Sequence, residues 1–571
     1  MPALADLSLG FRAAYLDYER LTAQLRAWAT AFPDLVQLSS LATTPEGREV
    51  WLVAIGPSPS RVRPAVWADG NMHAGELAGS SVALALAEDA LRVHVEPEAL
   101  DLSPATIARL REVLVYIAPR ISPDGAEAVL RTGRIVRSVP RDPRVARGTP
   151  RWLPGDVDGD GLALSMRVRD PGGELVEAQG FSGLLVGRTL DDDGPFYKLY
   201  PEGTIEHFDG KRVPTPFVAG DDPIDLNRNF PFSWAPAHEQ VGAGAFPTSE
   251  PESRGVVAFA TAHPEIFAWT NFHTFGGVLI RPPGDTPDAK MNTEDLAIYK
   301  QVEAWMTEHT GYPTVSGHDE FLYEPEKPLR GDLSEYAYRQ RGAIAYAIEL
   351  WDLFKRLGME RPPKFVQYYE RVTRDDLVRL AWWDRDENEG RTFLPWRPFR
   401  HPQLGDVEIG GIDPRVGIWN PPLAELGRLC HEQAAVFFRV ASLAPHLQIE
   451  RVERAVLDGG LTRVDVRVGN SGYLGTYGVP SAKALDFNEP VYATATVDGC
   501  ELVDAGAAYQ QLGHLDGWGR GLHSGANLPA YPATRGTTNS AWASYLVRGR
   551  GAIDLRVGSA RAGFVTARVE V

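Results

Sequence analysis

Cysteine is almost absent from these 571 residues; there are two, Cys430 and Cys500. That excludes a disulfide framework and any metal site built from thiolates. Long apolar runs are absent as well. The opening "MPALADLSLGFRAAYLDYERL" carries early acids and no unbroken apolar core, so it reads neither as a signal peptide nor as a membrane span. Cytoplasm is the default expectation, with secretion the alternative if a leader has been removed. Basic residues are the minority among the charges, and the formal net charge is −17. Nucleic acid and anionic membrane surfaces demand basic patches, so both are excluded as partners. What remains is ordinary for a globular chain, 44% hydrophobic and 23% charged. The length exceeds what one core supports, so at least two domains are expected.

The first half alternates helix-like and strand-like segments. "YERLTAQLRAWATAF" has helical apolar spacing, whereas "EVWLVAIG" and "RPAVWADG" read as strands. The helix "GSSVALALAEDAL", the buried strand in "REVLVYIAPRISPDG", the strand "IFAWTNFHTF" and the strand "GAIAYAIELWD" continue the alternation. This is an α/β pattern: a mixed, mostly parallel sheet with helices on both faces, whose ligands sit beyond the carboxyl ends of the strands. Residues from about 142 to 224 are rich in Gly, Pro and Asp and read as a long insertion beside the site. The helix "LGRLCHEQAAVFFRVASLA" closes a catalytic domain spanning residues 1–445. From 446 to 571, short alternating strands parted by Gly-rich turns read as a smaller all-β sandwich.

Chemistry enters at "DGNMHAGELAG", where His73 and Glu76 stand three residues apart as a strand gives way to a helix. Nearly one helical turn separates them, so both side chains can face one point, as metal ligands or as an ordinary hydrogen-bonded pair. Catalytic zinc takes three protein ligands and keeps a position open. Of the 13 histidines, His273 in "AWTNFHTFGG" is the one at the end of a strongly apolar strand. Glu349 lies in the apolar strand "AIAYAIELWD", as a general base or as a buried ion-paired carboxylate. Asn227 and Arg228 in "DLNRNF" suit bidentate recognition of a carboxylate, or a structural salt bridge.

Taken in order, the opening helix and strand, "GNMHAGE", "ISPDG", "IDLNRNF", "NFHTF" and "AIEL" resemble the zinc carboxypeptidases of the carboxypeptidase A and B superfamily. The resemblance covers about residues 12 to 355 and extends to the closing helix. It implies one zinc ion per chain on His73, Glu76 and His273, a ligand set also known for carboxypeptidase A. It implies Glu349 as the base that activates water and then protonates the leaving amine. Asn227 and Arg228 would hold the free C-terminal carboxylate of a peptide substrate, and Asp225 would fix the tautomer of a ligand histidine. Arg137, with Arg134 and Arg141 as the alternatives in "RTGRIVRSVPR", would steady the oxyanion. Tyr323 matches the mobile tyrosine that closes over the substrate.

The chain also departs from the pattern. Pancreatic members carry an arginine just before the glutamate ligand, where this chain has Gly75. In "RGDLSEY", Leu333 would suit an apolar terminal side chain, whereas Asp332 pointing inward would favour a basic one. Within the insertion, Asp156, Asp158, Asp160 and Gly161 reproduce the first half of a calcium loop, but its twelfth position is Arg167, so an Asp/Gly turn competes with calcium. A zinc metallocarboxypeptidase is the leading expectation. The alternatives are a zinc amidohydrolase or cell-wall peptide hydrolase on the same fold, and a catalytically silent binding protein.

Overall fold

The computed structural model describes residues 3–141, 148–216, 224–324, 327–522 and 534–571. At its centre is an eight-stranded sheet. Its strands run, in spatial order, Val36–Thr43, Glu49–Ile55, Leu114–Ala118, Ala65–Gly70, Ile266–Thr274, Ile344–Leu350, Val278–Arg281 and Thr314–Ser316. The four middle strands from Leu114–Ala118 to Ile344–Leu350 are parallel, the strands on either side join them antiparallel, and Thr314–Ser316 runs parallel to Val278–Arg281 at the far edge. Ala65–Gly70 and Ile266–Thr274 are buried at every position, which explains their unbroken apolar sequence: helices cover both faces of the sheet. The helix Leu77–Val95, built largely of Ala, Leu and Val, is buried on nearly all sides and packs against the closing helix Leu423–Ala441.

The insertion is more ordered than its composition suggests. Ser165–Arg169, Leu175–Glu177, Leu185–Gly187 and Phe196–Pro201 join the hairpin Phe393–His401 and Gly405–Ile412 in a second, antiparallel six-stranded sheet. Arg167 centres this layer, bonded to Glu408 and Glu177 at 2.8 Å each and lying over the rings of Tyr197 and Trp396. Strands this short, with partners so far apart in the chain, leave no local periodicity to read. The ends of the expected insertion, 142–147 and 217–223, lie outside the described residues.

From Leu447 the chain forms six antiparallel strands around an apolar core that includes Val466, Val547, Ile553 and Leu555. The long strand Ser540–Ser559 pairs with Leu461–Asn470 along its first half and with Val491–Leu502 and Gly563–Glu570 along its second. The buried Arg561 reaches out of this unit and donates to the carbonyl of Ile266, at the base of the strand that carries His273. Among the described residues, no helix is long and apolar enough to cross a membrane.

Candidate functional site

The parallel register places the site. Phe272 pairs with Gly70 and His273 with Glu349, so three strands deliver their carboxyl ends to one edge. Beyond Gly70 the chain reverses through Asn71, which has φ of 55°, a conformation asparagine tolerates better than most residues. Its side chain fixes the turn, donating to the carbonyls of His73 (2.8 Å) and Ala74 (3.1 Å) and accepting from Ser80. A Cβ on Gly70 would lie 2.4 Å from backbone atoms of Gly79. Only glycine lets the start of Leu77–Val95 settle on the strand end. Glu76 occupies the cap position of that helix, yet its carboxylate makes no capping bond and turns into the site instead.

There it meets both histidines. Glu76 lies 2.8 Å from His73 Nδ1 and 2.9 Å from His273 Nδ1, and the two Nδ1 atoms are 3.1 Å apart. The other ring nitrogens are already committed. His73 Nε2 bonds Asp225 at 3.1 Å, and His273 Nε2 bonds the Asn271 side-chain oxygen. With Nε2 protonated on each ring, both Nδ1 atoms present lone pairs to each other and to a carboxylate. Such a donor set is repulsive by itself and fits a cation with borderline-soft, nitrogen-binding character, as zinc has. All three residues are buried and converge as a metal-capable group. The two histidines draw Glu76 down to about 2 against the opposing effect of burial.

The supports behind the ligands were only partly legible. Burial opposes the charge of Asp225, but the Arg137 guanidinium, 2.8 Å away, and His73 outweigh it and hold the carboxyl well below the usual range. Asn271 is held in turn by Asp69, which also accepts from the indoles of Trp67 (2.7 Å) and Trp269 (2.8 Å). Burial pushes Asp69 up to about 6. Asp69 and Asn271 open the stretches "DGNMHAGELAG" and "NFHTF", yet neither was assigned a role from sequence.

A cavity of about 310 Å³ opens over the donor set, lined by His73, Glu76 and His273 together with Arg137, Asn227, Arg228, Tyr323 and Glu349. The residues expected as metal ligands, base, oxyanion partner, carboxylate clamp and covering tyrosine therefore face one space. Of the three candidate arginines, Arg137 lines it; Arg141 is bound to Glu250 and Glu252, and Arg134 lies outside the lining. Asn227 spends its side-chain oxygen on the Leu333 amide (2.9 Å), tying the clamp to the next segment. Tyr323 is 49% exposed, at the mouth. Glu349 Oε2 is buried with no hydrogen-bond partner among the described residues. Burial first, then the charge of Glu76, raises the Glu349 carboxyl well above the usual range.

Two readings left open by the sequence are narrowed here. Leu333 packs fully buried in the main core, while Asp332, Ser334 and Glu335 line the cavity, so the short helical turn at Leu333–Glu335 presents its polar side to the site. Calcium at Asp156, Asp158 and Asp160 is not supported. Asp156 and Asp158 converge with Glu202, not with Asp160, which pairs with Arg397 at 3.4 Å. Loop amides take up these carboxylates, from Gly159 and Gly161 to Asp156, from Asp160 to Asp158, and from Val157 and Leu164 to Glu202. The twelfth position, Arg167, is committed to the second sheet.

The zinc carboxypeptidase family matches residues 21–149 and 218–375, and a family described as a domain of unknown function matches 446–570. Carboxypeptidase A4 of Mus musculus is 22% identical over 50% of this chain and 50% of its own length. Human mast cell carboxypeptidase A is 32% identical over 22% of this chain and 32% of its own. The chain thus spans half or less of these relatives. The crystal structure of thrombin activatable fibrinolysis inhibitor superposes with a TM-score of 0.44 at 13% identity, covering 76% of each chain. The two blocks of the family match make up half of the chain and hold the three metal-capable residues, the Asn227–Arg228 pair and Glu349, and the chain belongs to the zinc carboxypeptidase family.

Proposed function

We propose that the protein is a zinc-dependent carboxypeptidase that removes the C-terminal residue of peptides. The observation that carries this reading is the shared cavity. A three-residue donor set, a buried Glu349 oxygen without a partner among the described residues and an Asn–Arg pair meet there within reach of one small substrate.

His73, Glu76 and His273 would hold zinc, which supplies a Lewis acid that polarises a carbonyl and lowers the pKa of water. Arg228, with the Asn227 amide, binds the terminal carboxylate and fixes which peptide bond lies over Glu349. Glu349 accepts a proton from the attacking water at its free Oε2. Burial raises its proton affinity, which makes it a better base and lets it hold that proton for the leaving amine. Arg137, oriented by Asp225, faces the negative charge that grows on the carbonyl oxygen. Tyr323, exposed at the mouth, is placed to cover bound substrate and exclude water.

The terminal side chain would extend toward Asp332, Ser334 and Glu335. Glu335 is 2% exposed; one oxygen accepts from the Gly284 amide and the other has no partner among the described residues. A buried carboxylate oxygen with nothing to accept from favours a cationic terminal side chain, lysine or arginine, over an apolar one.

Hydrolysis of N-blocked dipeptides, free acids against C-terminal amides and Lys or Arg against Leu or Phe termini, tests the reading with and without chelator. Equal turnover of the amides would remove the carboxypeptidase assignment. Chelator-insensitive turnover would remove the metal. Cleavage of Leu and Phe termini in preference would remove the role given to Glu335.

A further inference from the structure

Gly75, between two of the metal-capable residues, is the position at which the family resemblance implies arginine in pancreatic members. The space beside it is filled. A Cβ built on Gly75 would lie 2.6 Å from Cε3 and 2.8 Å from Cζ3 of Trp419, and Trp419 lines the cavity. This tryptophan comes from outside both blocks of the family match, in the segment that follows the hairpin of the second sheet.

The segment is held in place from both sides. The Asn420 side chain donates to the carbonyl of Gly75 (2.7 Å) and accepts from the amide of Ala78 (2.8 Å), clamping the tryptophan loop to the ligand turn. Within the loop, Trp419 donates its amide to Pro414 and Gly417 donates to Asn420. Arg415 is bonded to Asp413 and reaches the carbonyl of Leu130. The indole is therefore positioned before any ligand arrives. It is partly exposed, and Val136, 8% exposed, lines the same cavity. Ala74 donates to the carbonyl of Arg137 at 2.8 Å, which brings the irregular segment that carries Val136 alongside the ligand turn.

We propose that Trp419 is a specificity-determining residue that binds an apolar or aromatic side chain on the amino side of the scissile bond. The inference rests on the carboxypeptidase reading above. Arg228 and Asp332–Glu335 claim the terminal residue, so the rest of the peptide leaves the cavity past the ligand turn, where the indole stands. An arginine there would contact peptide backbone or carboxylate. An indole in a cavity wall that also holds a valine instead offers apolar area, which a glycine residue cannot use and a leucine or phenylalanine side chain can.

The test uses zinc-loaded protein and N-acyl dipeptides that share one terminal residue and carry Phe, Leu, Ala or Gly before it. Trp419→Ala is expected to lower kcat/KM roughly tenfold for the Phe and Leu peptides and to leave the Gly peptide within about twofold, while Trp419→Phe keeps most of the preference. A uniform loss across all four peptides, or no loss, overturns the inference. Melting temperature and zinc content of each variant identify a misfolded one, in which case Trp419→Phe and Trp419→Leu carry the comparison. Calorimetric affinities of the same peptides in a Glu349→Gln background separate the two readings. Binding that prefers Phe and Leu through Trp419, in a protein whose wild type cleaves none of them, overturns the hydrolase and keeps this inference. Binding indifferent to the preceding residue overturns this inference alone.

Discussion

His73 Nδ1 and His273 Nδ1 face each other at 3.1 Å, each on a ring whose Nε2 is already bonded elsewhere. Two lone pairs beside a carboxylate need a cation, so the donor set and the stability of the fold are linked. Chelation is expected to abolish activity and lower the melting temperature, and added zinc to restore both. A metal at a thousandfold above its dissociation constant contributes about 4 kcal/mol to the folded state. Differential scanning calorimetry with and without chelator reads the shift; an unchanged melting temperature would mean that the set folds without a cation.

Glu349→Gln keeps the shape of the side chain and removes its capacity to take a proton. The expected loss in kcat is roughly 10²–10⁴-fold, with zinc stoichiometry unchanged. Residual activity near wild type would assign the proton transfer to another group. A loss of zinc would instead make Glu349 part of the metal site.

Asp225 bonds His73 Nε2 and Arg137 Nε with its two oxygens, so one carboxylate orients a ligand and a cation together. Asp225→Asn retains a side-chain amide but loses the charge that both partners face. Zinc affinity is expected to fall by about 10–100-fold, measured by competition with a chromogenic chelator. If zinc is rebound at saturating concentration, any remaining deficit in kcat reports the misplaced guanidinium of Arg137.

Much of this site was readable in the sequence because its parts lie at strand ends and loop starts, where short motifs survive. His73 and His273 follow apolar runs, Glu76 caps the helix after the first of them, Glu349 sits near the end of another strand, and parallel register brings them together. Asp69 and Asn271 stand within quoted motifs, but their roles as supports escaped because those roles exist only across the sheet. Between Leu333 and Asp332 the motif alone could not choose; the turn at Leu333–Glu335 rotates Leu333 into the core and leaves Asp332 at the cavity. Trp419 and the second sheet depend on contacts between distant segments that no periodicity encodes.

Glu335 makes the pH response of the cavity specific. Burial first, then the neighbouring Asp285, raises its carboxyl from 4.5 to about 7. Between those values the unfolded chain has released the proton and the folded chain still holds it, so stability falls as pH rises through this window. The contribution is present below the unfolded value and is lost above the folded one. Glu335→Gln removes that loss, so the variant is expected to be more stable than wild type at pH 8, by at most about 3 kcal/mol, and similar near pH 4. Relative turnover of Lys- and Arg-terminated peptides should rise as pH climbs through 7 in wild type and stay flat in the variant. Parallel profiles in both proteins would remove Glu335 from substrate recognition.

Gly75 and Trp419 share one space, so their substitutions should not add. Gly75→Ala places a methyl where the indole ring lies, and overpacking of this kind costs about 1–3 kcal/mol. In a Trp419→Ala background the same methyl enters vacated volume, and its cost should largely vanish. A double-mutant cycle on unfolding free energy is expected to show coupling of about 1 kcal/mol or more, well above what distant, independent positions give. The same cycle read on kcat/KM for a Phe-containing dipeptide should show Gly75→Ala reducing activity only while the tryptophan is present. Additive effects in both readouts would mean that the ring moves aside freely. The missing arginine would then be a simple gap in the ligand turn, not a position yielded to an aromatic wall from another part of the chain.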